Sequence, residues 1–125
     1  MLKKIALLAA TIYSAALIFA SLVKPENIPD IDVDYSDKIF HFLAYGLLIL
    51  LWFSAFFYHF NLKETKSIVY AAIFSVIFGI IIEVLQYELT TYRSFDVYDV
   101  VANTLGVILG VSVLVIKKYI DVKKI

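Results

Sequence analysis

Residues 67–87 read SIVYAAIFSVIFGIIIEVLQY, twenty-one positions with one charged side chain, Glu83. A helix needs ~20 apolar residues to cross the hydrocarbon of a bilayer. The run never alternates apolar and polar over the length of a strand, so a barrel strand does not fit it. It predicts a membrane-spanning helix. Outward from it the same reading recurs three times. Ile5–Val23 carries no charge, Ile39–Phe60 carries none and is interrupted only by His41 and His59, and Val97–Ile116 carries only Asp99. The predicted fold is all-α, an integral membrane four-helix bundle forming a single domain over 1–125, with helices at about 5–23, 37–60, 67–87 and 96–117.

Composition agrees. The 125 residues are 62% hydrophobic and 18% charged, with a mean hydropathy of +0.90. A soluble domain runs near half apolar and a quarter charged, so a soluble cytoplasmic enzyme is excluded. The absence of cysteine excludes disulfides, thiolate zinc sites and cysteine nucleophiles. Eleven basic residues balance eleven acidic ones, which gives no general attraction to nucleic acid. Lys3 and Lys4 before an apolar run also describe a signal peptide. That run is longer than the ~7–15 residues of a secretory core and ends in no A-x-A site, so a retained helix is expected.

The basic residues predict an orientation. Lys3, Lys4, Lys63, Lys66, Lys117, Lys118, Lys123 and Lys124 fall on one side, and Lys24, Lys38 and Arg93 on the other. The positive-inside rule then puts both termini and the second loop in the cytoplasm. The loops at 24–36 and 88–93 face outward, the first acidic and broken by Pro25 and Pro29. Tyr35, Tyr87, Tyr92 and Tyr98 fall near that outer boundary, as in an aromatic belt.

On this topology the polar residues gather at one depth. Asp37, Lys38 and His41 open the second helix with Tyr45 on the same face, Glu83 and Gln86 close the third, Arg93 lies in the outer loop, and Asp96, Asp99 and Asn103 open the fourth. Asp96, Asp99, Asn103, Gly106 and Gly110 step by three and four, one stripe whose lower half is a GxxxG seam for close helix approach. Ala72, Val76, Gly79, Glu83 and Gln86 make a similar stripe on the third helix. Two such stripes facing each other would bury Glu83 against Asp99 or Asn103, which needs a proton, a cation or Arg93 between them. Simpler roles exist for each residue. Asp96 and Asp37 fit helix N-caps, Asn103 and Gln86 fit interhelical ties, Lys38 and Arg93 fit interface anchors, and His41 fits a packed, hydrogen-bonded residue. Glu83 and Asp99 are hardest to assign to such roles, because a charge within a span costs ~2.5–3.5 kcal/mol on the mildest scale.

Asp37-Lys38-x-x-His41-Phe42-x-x-Tyr45, then Glu83-x-x-Gln86, then Arg93-x-x-Asp96-x-x-Asp99-x-x-x-Asn103-x-x-Gly106-x-x-x-Gly110 resembles the VanZ-like family. These small bacterial membrane proteins are named after an accessory protein that raises resistance to the glycopeptide teicoplanin. The resemblance covers Asp37 to Gly110. It departs in the third loop, where Leu89-Thr90-Thr91-Tyr92 replaces a frequent proline-glycine turn before the arginine. It implies a multi-pass protein of the bacterial cytoplasmic membrane and a part in cell-envelope chemistry, but no defined reaction.

Three functions follow as expectations. The first is an accessory or binding role toward a cell-envelope lipid or lipid-linked precursor, with Lys38, Arg93 and His41 toward phosphate oxygens. Asp37, Glu83, Asp96 and Asp99 oppose it, leaving the site at −2 with His41 neutral. The second is an enzyme acting on such a lipid, with His41, Glu83 and Asp99 as the catalytic candidates. The third is a structural partner within an envelope complex. No spacing matches a metal signature and no cofactor is expected. The partners expected are the bilayer lipids and no nucleic acid. An open cleft favours the first two functions, and a cluster closed on itself favours the third.

Overall fold

The computed structural model describes residues 2–22, 33–89 and 96–123. Four helices account for nearly all of them: α1 (Leu2–Leu22), α2 (Val33–Ser54, continued by a π-helical turn over Ala55–His59), α3 (Glu64–Leu89) and α4 (Val97–Lys123). Each contains a stretch long and apolar enough to cross a membrane. The all-α, four-helix architecture is the one the charge-poor apolar runs predict.

The ends differ from prediction. α2 begins at Val33, four residues before the expected start, and α4 runs to Lys123 instead of stopping near 117. The absence of charge marks the hydrocarbon, whereas a helix continues into the interface wherever its polar residues support it. Lys117 and Asp121 do so as an exposed i, i+4 pair at 3.2 Å. α2 does not continue as an α-helix to residue 60: its last turn widens, with Phe60 N–H bonding the Ala55 carbonyl at 3.1 Å. Asn61 follows at φ 58°, a left-handed position that asparagine tolerates at a helix end. Lys118 of α4 meets Thr65 at this same end.

Among the described residues α1 packs on α2 and α3, and α4 packs on the same two, so α2 and α3 form the middle of the bundle. The core is Leu17, Ala44, Tyr45, Leu48, Ile49, Ala71 and Val107. Large apolar side chains such as Ile73, Ile77, Ile81, Leu105 and Ile108 point outward, as expected of helices solvated by lipid. α1 is tied in by polar contacts. Tyr13 donates to the Ala44 carbonyl at 2.6 Å, and the Trp52 indole donates to Ser14 Oγ at 2.9 Å. An apolar groove of about 380 Å³ between α1 and α2 is lined by Ala16, Leu17, Phe40, Leu43 and Leu47.

The glycine seam packs on α2, not on α3. A Cβ on Gly106 would meet the Phe42 carbonyl, and one on Gly110 would meet the Ile49 side chain. The inward face of α3 is also rotated from the predicted stripe. It runs Ser67, Ala71, Ser75, Gly79, Glu83 and Gln86, while Ala72 and Val76 sit at its edge.

Candidate functional site

The site forms at the end of the bundle where α1 and α3 finish and α2 and α4 begin. Its centre is the start of α4. Asp96 caps that helix: its Oδ1 accepts the Tyr98 N–H at 2.9 Å, and its carbonyl accepts the Asp99 N–H at 3.1 Å. The remaining oxygen, Oδ2, accepts Lys38 Nζ at 2.7 Å. Asp96's own N–H donates to Glu83 Oε1 at 2.9 Å. One residue therefore joins α2, α3 and α4. The N-cap reading of Asp96 holds, and the same side chain also makes an ion pair.

One turn deeper, Lys38 Nζ reaches Asp99 Oδ1 at 2.5 Å. His41 Nδ1 lies 2.9 Å from Asn103 Oδ1, and its Nε2 faces Asp99 Oδ2 at 3.6 Å. Lys38 and His41 are three apart on α2, and Asp99 and Asn103 are four apart on α4, so each pair shares a face and the two faces meet. His41, Glu83, Asp99 and Asn103 are all buried. Lys38 and Asp96 form the rim, with side chains 31% and 38% exposed.

The predicted residues divide. Lys38, His41, Glu83, Asp96, Asp99 and Asn103 come together. Tyr45 sits a turn below His41, its ring close to Gly79, with the Asn103 amide on the same glycine. Gln86 turns away, donating to the Ser21 carbonyl of α1 at 2.7 Å, which fits the interhelical tie foreseen for it. Asp37 lies on α2, but its side chain is outside the described residues, and so is Arg93. Glu83 and Asp99 do not face each other bare. The Asp96 amide holds the first, and Lys38 holds the second. Ser75, fully buried on the inward face of α3, is not singled out by the sequence. Its only signal there is its place four residues from both Ala71 and Gly79.

The bond and charge of Lys38 hold the Asp96 carboxyl below the usual carboxylate range. A carboxyl whose folded pKa is depressed stabilises the fold above its unfolded value and loses that contribution as pH falls through the folded one. Acid should therefore weaken the α2–α4 contact below about pH 4, the ordinary aspartate range. Asp96→Asn should flatten this part of a melting-temperature profile against pH, and an unchanged profile would show that the pair contributes nothing. With Asp96 more than a third exposed, the effect should be small.

Comparison with known proteins follows the same residues. The sequence profile described as VanZ/LLP1 matches residues 3–118. The chain belongs to the VanZ/LLP1 family. One relative is an uncharacterized protein of Schizosaccharomyces pombe, 32% identical over 78 residues, which are 62% of this chain and 46% of the fungal protein. The chain thus spans less than half of that relative's length. No solved structure matches. Membership fits a multi-pass membrane protein, and the match takes in every described residue of the polar cluster.

Proposed function

We propose that this VanZ/LLP1 protein has an accessory, binding role at one membrane surface, toward the head group of a membrane lipid or lipid-linked cell-envelope precursor. The carrying observation is the surplus of acceptors at the rim and directly beneath it. Among the described residues, Lys38 stands against Glu83, Asp96 and Asp99, a balance of −2 with His41 neutral. Such a site suits a head group that donates, through an amine or sugar hydroxyls, better than a bare phosphate. The rim of Lys38 and Asp96 is the accessible part, and the paired residues beneath it hold the geometry.

The enzymatic alternative needs a ring nitrogen of His41 free to take a proton from substrate. With Nδ1 on Asn103 Oδ1 at 2.9 Å and Nε2 3.6 Å from Asp99 Oδ2, both ring nitrogens of the buried imidazole are turned toward α4. The closed pairing lends weight to the structural reading as well, and a link to glycopeptide resistance rests on family resemblance alone. The basic-residue asymmetry supports an outward-facing site with cytoplasmic termini, and the family's usual setting supports a bacterial cytoplasmic membrane.

Native mass spectrometry from nanodiscs tests the reading. In mixtures of phosphatidylethanolamine and phosphatidylglycerol, the protein should retain the amine-bearing lipid preferentially, and Asp96→Asn should lose that preference while keeping the fold. Equal retention of both lipids would remove the proposal. For orientation, a cysteine at Asp32 should react with an impermeant thiol reagent from outside and one at Lys63 should not. The reverse pattern inverts the topology.

A further inference from the structure

Among the described residues, three side-chain oxygens in the interior of the bundle make no hydrogen bond: Glu83 Oε2, Tyr45 Oη and Ser75 Oγ. Their residues are 1%, 1% and 0% exposed. Ser75 departs from a pattern. Thr11, Ser14, Ser54, Thr104 and Ser112 each donate back to the carbonyl four residues earlier, at 2.8–3.0 Å. That is the ordinary resting place of a hydroxyl on a membrane helix, because lipid offers no other acceptor. Ser75 leaves its backbone acceptor unused.

The three oxygens share one region. Ser75 and Glu83 lie on the same inward face of α3 with Gly79 between them. Tyr45 of α2 crosses at Gly79, where its ring carbon Cε2 would be 3.0 Å from an added Cβ. Eight residues of helix separate Ser75 from Glu83, roughly 12 Å along the axis, so a single water molecule does not join them. Buried polar groups without protein partners are ordinarily met by internal water, which needs two to four such partners.

We propose that Glu83, Tyr45 and Ser75 hold a short file of internal water, and that this file carries protons to and from the Glu83 carboxyl. Glu83 Oε1 is committed to the Asp96 amide, so Oε2 is the oxygen that takes the proton. In the step, the water beside Oε2 gives it one proton and accepts one from the next water or hydroxyl. Each O–H broken is matched by one formed, and the proton gained by Glu83 is made good at the far end of the file by a hydronium ion of the bathing solution. His41 of α2 and Asp96 and Asp99 at the start of α4 are the charged and titratable groups that face Glu83, with Lys38 paired to both aspartates. Protonating Glu83 takes the described cluster of Lys38, Glu83, Asp96 and Asp99 from −2 to −1. The inference stands on these oxygens and does not depend on what binds at the rim.

Infrared spectroscopy of the nanodisc-embedded protein tests it. On acidification a carboxylic-acid carbonyl band should appear, absent in Glu83→Gln, and it should shift promptly when H₂O is exchanged for D₂O. Tyr45→Phe and Ser75→Ala should slow that shift several-fold, while Ser54→Ala, whose hydroxyl is already satisfied by its helix, should leave it unchanged. The same variants are read by melting temperature. Removing a hydroxyl held by water lowers it, and removing one buried dry raises it. The absence of a Glu83-dependent acid band, exchange as fast as wild type in both variants, or a rise in melting temperature in both would each overturn the proposal.

Discussion

Gly106→Ala is expected to destabilise the protein by about 3 kcal/mol, the upper end of what overpacking usually costs, although it adds one methyl group. The added Cβ would overlap the carbonyl oxygen of Phe42 and lie 3.0 Å from that residue's carbonyl carbon and 3.1 Å from Gly46 N. All three are backbone atoms, so no rotamer change relieves the overlap and α2 must move away from α4. Gly46 faces the same seam, but an added Cβ there has its nearest neighbour, the Gly106 carbonyl oxygen, at 3.4 Å, an ordinary contact. Gly110→Ala falls between, because it meets the Ile49 side chain, fully buried but able in principle to turn. The expected order of melting temperatures in detergent is therefore Gly46→Ala highest, Gly110→Ala next and Gly106→Ala lowest. Gly106→Ala and Gly46→Ala melting together would refute the close approach. The effect should also reach the site, because the same pair of helices brings Lys38 and His41 to Asp99 and Asn103.

The four spans were legible because burial in hydrocarbon disfavours charge, and a charge-free run of twenty residues is rare in a water-soluble fold. Helix ends were less legible. Residues 33–36 are polar enough to read as loop, yet α2 already includes them, since helix formation in the interface does not require apolar side chains. The inward face of α3 shows the limit most clearly. Ser67, Ala71, Ser75, Gly79 and Glu83 step by four, whereas Ala72, Val76, Gly79, Glu83 and Gln86 alternate four and three. Both are valid rows on a helix of 3.6 residues per turn, and which lies inside depends on how the helix crosses its neighbours. Ser67 and Ser75 stand on the same row as Glu83, a weak polar signal in a helix that is otherwise apolar all round. Site membership was readable for the opposite reason. Charged residues near the end of a span have few tolerable surroundings, so Lys38, Glu83, Asp96 and Asp99 had to find one another. Their pairing was not readable. Sequence spacing left a proton, a cation or Arg93 to come between Glu83 and Asp99; the structure puts Lys38 on Asp99 and a backbone amide on Glu83, and Arg93 lies outside the described residues.

That pairing carries the second large expectation. Lys38→Ala removes the ammonium 2.5 Å from Asp99 Oδ1 and 2.7 Å from Asp96 Oδ2. Asp99 is 5% exposed, with His41 Nε2 still 3.6 Å away. Breaking a buried ion pair from one side costs ~3–5 kcal/mol, because the remaining charge stays desolvated. Lys38 is itself partly exposed, so the loss should lie at the lower end, about 3 kcal/mol, or roughly 10 °C in melting temperature. Asp99→Asn alone should cost less, because it leaves Lys38 at the rim with Asp96 and within reach of water. The double variant should be more stable than Lys38→Ala alone, since the buried carboxylate that lost its ammonium is gone. A double-mutant cycle measures this coupling directly. Arg93→Ala measured beside it tests the cation expected from the sequence, and if Arg93 shares the load its loss should likewise be partly rescued by Asp99→Asn. Lys38→Ala melting with the wild type, or additive losses in the double variant, would mean that Asp99 draws its stability from elsewhere, and the ion-paired core of the site would have to be redrawn around His41 and Asn103.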